Sequence, residues 1–159
     1  MSLADAVNIA ETLRSEIEVE VGRAREERVV LRSLDGQKIQ ARMEEKVAFQ
    51  DRTEELLYRL QEAQKAAARE LDLNDASAES LAKVRPEEGR ALSNVILQIR
   101  ALAATLAELT ALNRDLAARA LGCARAYLHA IAPRPTAYGR RGNSSAQVIP
   151  FESVQSRRA

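Results

Sequence analysis

From the first residues the chain repeats itself every seven positions. Leu3, Ala10, Ile17, Ala24 and Leu31 form one apolar line, and Ala6 or Val7, Leu13, Val21 and Leu34 form the line beside it. Two adjacent lines at this spacing make the seam by which one long helix packs on another. Arg28 is an exception in the seam. Ser2 can accept from the N–H of Asp5, whose carboxylate lies in the favourable first turn, so a helix is predicted over about 3–34. Gly22 sits inside it and is read as a close helix contact. Asp35-Gly36 is a turn dipeptide. Gly36 ends the first helix there while Asp35 or Gly36 starts the next, or a shallow kink joins two halves of one helix. A second stripe follows over 37–71: Ile39, Met43, Phe49, Leu56, Leu57, Leu60, Ala63, Ala67 and Leu71. Lys46 and Thr53 fall on its side, and Lys46 is expected to run its stem past the seam into solvent.

The connector, 72–85, carries the cap residues Asn74, Asp75 and Ser77, and "SAESLAKV" suits two helical turns. Pro86 then opens the third main helix, with Glu87 and Glu88 at its positive end. Its pattern is the strongest in the chain. Leu92, Ile99, Leu106, Asn113, Ala120 and Tyr127 repeat at seven, with Val95, Leu102, Leu109, Leu116, Cys123 and Ala130 beside them. The helix is predicted over 86–132, until Pro133 and Pro135 stop it. The pattern therefore predicts an all-α fold: an elongated antiparallel helical bundle or coiled coil of three main helices, in one domain spanning 1–132. The remaining 133–159, rich in arginine, glycine and serine, reads as a flexible basic tail, disordered when alone.

Composition narrows the picture. Aromatic residues are only 3% of the chain and Trp is absent, which disfavours a deep globular core. A formal net charge of +1 offers no reason to expect nucleic-acid binding. One cysteine allows no intrachain disulfide and suits a reducing compartment. The acidic start is no signal peptide, and no later stretch is read as able to span a bilayer, so a cytoplasmic protein without stable membrane insertion is expected. One histidine and one cysteine make neither a metal site nor a catalytic set, and no Gly-rich loop precedes a helix. The chain is read as no enzyme, with no cofactor.

Three features stand out. Asn113 occupies a seam position, where a buried amide acts as a register device. Cys123 on the same seam is read as a small buried thiol. Second, Arg100 and Arg114 flank the seam in mid-helix, whereas Leu121 and Leu128 take that position near the end, with Ala117, Ala124 and Ile131 between. The apolar arc so widened is covered either by another helix of the same chain or by an amphipathic helix of another protein. Third, Tyr138, Val148, Ile149, Phe151 and Val154 place apolar points in the tail. They fit folding on binding, or folding back on the chain's own helices.

"LAELTALNRDLAARALGCARAYLHAIAPRPTAYGRRG" resembles the C-terminal half of the FlgN family of flagellar type III export chaperones. The matching residues are Leu106, Leu109, Asn113, Leu116 and the string Tyr138-Gly139-Arg140-Arg141-Gly142. Thr110 and Arg141 depart from the family's usual Asn and Asp. "LRSLDGQKIQARMEEKVAFQ" is similar to the family's helix break and E-E-K motif, which falls on Glu44, Glu45 and Lys46, and "ESLAKVRPEEGRAL" to its connector. The resemblance spans about 13–142. It implies a cytoplasmic chaperone that binds the C-terminal helical region of hook–filament junction proteins, keeps them unassembled and delivers them to the export gate. Leu116, Leu121, Tyr127, Leu128 and Ile131 are then expected to contact the substrate, and Tyr138 with Gly139 to dock at the gate. Weak homodimerisation is compatible with this reading. The alternative is a structural coiled-coil adaptor or scaffold with no flagellar substrate.

Overall fold

The computed structural model describes residues 2–131. Among them every regular element is a helix: α1 (Leu3–Ser33), α2 (Gly36–Glu70), α3 (Ala78–Val84) and α4 (Pro86–Ile131). The chain divides into two units, Met1–Gly122 and Cys123–Ala159, and the packing of α1, α2, α3 and the first part of α4 belongs to the first.

Each helix starts where local chemistry dictates. Ser2 and Asp5 form a reciprocal capping box: the Ser2 hydroxyl accepts from the Asp5 N–H, and the Ser2 N–H donates to the Asp5 carboxylate at 2.6 Å. Asp35 caps α2 by accepting from the N–H groups of Gln37 and Lys38. The hydrogen bond from the Lys38 N–H, ahead of the nearby Lys38 charge, holds the Asp35 carboxyl below its ordinary value of 3.8. The stabilisation is therefore complete at neutral pH and is lost only as pH falls through that lowered value. Ser77 caps α3 and Pro86 opens α4.

The turn between α1 and α2 separates two helices, the second starting at Gly36 as one reading predicts, but the residue that ends the first helix is not the expected glycine. The left-handed residue is Leu34, at φ 52°, while Gly36 is already the first residue of α2. A Cβ in that region costs about 1–2 kcal/mol, and the exposed Leu34 side chain recovers little of it by packing. Leu34→Gly should therefore stabilise the fold by about 0.5–1 kcal/mol. An unchanged or lower urea midpoint would show that Leu34 makes a compensating contact.

α1 is packed along two sides. Leu3, Ala6, Ala10, Leu13, Ile17 and Val21 meet Leu60, Ala63, Ala67 and Ala68 of α2, Leu81 of α3, and Leu92 and Val95 of α4 in one buried cluster. α2 runs antiparallel to α1: Glu16 pairs with Arg52, and Glu20 with Arg42. α4 runs parallel to it: Arg14 bonds Gln98 and Ala24 bonds Asn113, 84 and 89 residues apart. α3 reverses the chain between α2 and α4. Leu81 is fully buried, and Gly89 lies so close to α3 that a Cβ there would stand 2.3 Å from the Ala82 Cα.

The α1 seam is buried at Leu3, Ala10, Ile17 and Ala24, as its spacing predicts. Among the described residues nothing lies within 4 Å of a Cβ built on Gly22, so the close helix contact expected there is found instead at Gly89. On α2, Met43 and Leu57 are exposed and Arg42 is buried. Near the α1–α2 turn the seam is thus held by charge rather than by hydrocarbon. Arg42 pairs with Glu20, lies 3.4 Å from Glu27, and lies 3.3 Å from Glu45. Lys46, expected to reach solvent, bonds Glu27 at 2.6 Å. Burial works against the Arg42 charge, but the hydrogen bond and charge of Glu20, followed by Glu27 and Glu45, outweigh it and raise its pKa.

Candidate functional site: an apolar groove between two helices

α4 faces α1 through Leu92, Val95, Ile99, Leu102, Leu106 and Leu109. One row further round the same helix stand Ala103, Ala107 and Ala111, four residues apart and therefore stacked on one face. α2 faces the same space with Phe49, Thr53 and Leu57. Both helices are held on α1, and the short alanine side chains do not reach across to Phe49 and Leu57. The result is an open groove of about 680 Å³, with Leu13 and Ile17 as its floor and Thr110 and Arg114 at one end of the α4 wall. Leu57 remains 46% exposed on its edge. The Thr53 hydroxyl is committed to the Phe49 carbonyl at 2.9 Å. The lining is otherwise hydrocarbon apart from Thr110 and the single charge of Arg114. Such a surface takes up apolar side chains presented along one face of a helix.

Asn113 lies just beside the groove. It is buried, and its amide donates to the Ala24 carbonyl at 2.7 Å. Its own oxygen has no partner among the described residues. One α4 residue is therefore tied to one α1 residue in the otherwise apolar seam.

The sequence-derived substrate residues lie elsewhere. Leu116 is half-buried, and Leu121, Tyr127, Leu128 and Ile131 are exposed; none lines the groove. Every residue over 121–131 is exposed. Cys123 is exposed too, which corrects the expected buried thiol: an apolar repeat in sequence does not by itself supply a helix to cover it. Tyr138 and Gly139, like the rest of 132–159, lie outside the described residues.

Reading α4 as a seam that widens toward its end missed the groove, because alanines beside a seam look like ordinary helix formers. Their spacing at 103, 107 and 111, facing the Phe49 and Leu57 stripe, was the available signal. The same apolarity corrects another expectation. α4 holds an 18-residue stretch of mean hydropathy 1.6, 6% of it buried, long and apolar enough by composition to cross a bilayer. Only two charges interrupt that stretch at most, whereas the sequence reading sought an unbroken run. Among the described residues no three metal-ligating side chains gather.

A model of the FlgN protein family matches residues 21–146, which include most of the groove and all of α3 and α4. No curated protein and no solved structure matches the chain.

Proposed function

Because the chain belongs to the FlgN family of flagellar export chaperones, we propose that the groove between α2 and α4 receives an amphipathic helix of an exported subunit. The subunits are hook–filament junction proteins, bound through their C-terminal helical region, kept unassembled in the cytoplasm and delivered to the export gate. The coiled-coil packing inferred from the heptads belongs to the same reading, as does the basic tail.

The observation that supports it is the groove. An apolar trough of this size left open to water is a standing cost, removed when about 25 cal/mol is gained for each Å² of apolar surface covered. Four turns of a guest helix with large apolar residues at i, i+3, i+4 and i+7 would supply what the alanine row lacks. The exposed Leu121, Tyr127, Leu128 and Ile131, with the half-buried Leu116, are the other candidates for substrate contact, and Tyr138 with Gly139 would dock at the gate after loading. A plain scaffold has no need of an unfilled row between two of its own helices.

Titration calorimetry with the C-terminal segment of a hook–filament junction protein tests this. Ala107→Glu puts an unpaired charge in the trough and should weaken binding by about 3 kcal/mol, roughly a hundredfold, with helicity by circular dichroism unchanged. Unaltered affinity would remove the groove from the binding site. If Leu121→Ala with Leu128→Ala abolished binding instead, the exposed helix end would be the main contact. Tyr138→Ala should leave the titration unchanged while lowering export.

A further inference from the structure

We propose that the groove is polar in direction. It accepts a guest helix running parallel to α4 and antiparallel to α2, with the guest's C-terminal turn, bearing a carboxylate, at Arg114. This rests on the chaperone reading above and specifies which helices the same site selects.

The argument is one of charge complementarity. The α4 wall extends over 99–114, about 22 Å at 1.5 Å per residue. Its Ile99 end is bordered by Leu13 and Leu57 and carries no charge. Its other end carries Arg114, which is exposed and pairs with no carboxylate among the described residues. Asp115, next in the chain, does not line the groove. The carboxylates near the α1–α2 turn are engaged: Glu27 with Arg42 and Lys46, and Glu45 with Arg42 and Arg23.

A guest helix brings opposite partial charges to its two ends. Its C-terminus carries about half a negative charge and four carbonyls without helical partners. A guanidinium satisfies both, and an Asp or Glu in the last turn adds a charge-assisted hydrogen bond. The reverse orientation sets a positive helix end against a fixed cation. The apolar walls accept either direction, so the one charge decides.

The test uses the full-length chain carrying Cys123→Ser, with Ala103→Cys or Ala111→Cys introduced separately. The probe is a synthetic peptide of the junction protein's C-terminal helical segment, with one cysteine at either end. Under oxidised glutathione the C-terminal thiol should trap at position 111 and the N-terminal thiol at position 103. In the unmodified groove Arg114→Glu should weaken the peptide about tenfold. A peptide with lysine in place of its last acidic residue should bind that variant better than it binds the parent. Reversed trapping, or equal trapping from both ends, overturns the proposal while leaving the chaperone reading intact. A peptide that fails to bind the unmodified chain at all overturns both.

Discussion

Arg42→Ala should destabilise the protein by about 3–5 kcal/mol, the cost of leaving buried charges without their partner. Arg42, Glu20 and Glu27 are all less than a tenth exposed, and a single guanidinium faces both carboxylates. Lys46 remains to neutralise Glu27, but nothing else in the ion pairs reaches Glu20. Denaturant unfolding followed by circular dichroism measures the loss, and a shift under 1 kcal/mol would mean that water reaches the carboxylates. The companion experiment separates the value of the charges from the cost of orphaning them. Replacing Glu20, Arg42 and Glu27 together by Leu, Met and Leu should be near neutral, since desolvation largely cancels the attraction within a buried ion pair. A protein that loses as much in the triple variant as in Arg42→Ala would instead be one whose fold depends on the attraction itself.

Gly89→Ala should be the next most damaging change, at about 2–4 kcal/mol. A Cβ there stands 2.3 Å from the Ala82 Cα and 2.4 Å from its nitrogen, so the obstacle is backbone, which cannot rotate aside. Overpacking of this kind typically costs 1–3 kcal/mol, and here it forces α3 away from α4, loosening the fully buried Leu81. Gly22→Ala is the internal control. Nothing lies within 4 Å of its added methyl, so it should gain up to about 1 kcal/mol of helix propensity. The two substitutions are chemically identical and should have opposite signs in thermal unfolding. Two gains would mean that α3 can be displaced freely.

What could be read beforehand followed from local or periodic causes. Ser2 with Asp5, Ser77 and Pro86 announce helix starts because a cap is made by neighbours in sequence. Leu92, Val95 and Asn113 announce the seam because helical geometry repeats. The misses share a different cause. Charged residues are usually solvated, so Glu20, Glu27 and Arg42 carried no mark of burial; their reason lies in partners on the facing helix, 22 residues away for Glu20 and 19 for Glu27 with Lys46. Gly89 looked like any early-helix glycine until α3 was laid against it. The groove is the largest omission, because it is made by what Ala103, Ala107 and Ala111 fail to fill across from α2. A missing side chain is informative only once both walls are in place. Cys123 misleads in the opposite sense, since a heptad position in sequence is exposed in the structure.

The order in which the groove's parts occur along the chain has a consequence for synthesis. Its floor and first wall lie in α1 and α2, which leave the ribosome first and share many contacts close in sequence, so they can pair early. Its second wall arrives only with residues 99–114. The Asn113 amide, reaching back 89 residues, donates to the Ala24 carbonyl. On the proposed reading a nascent chain therefore has no receptor until residues 99–114 are made, and a product truncated before α4 is not a weaker chaperone but an empty hairpin. On the proposed reading, competence to capture a partner is thus acquired in one late step.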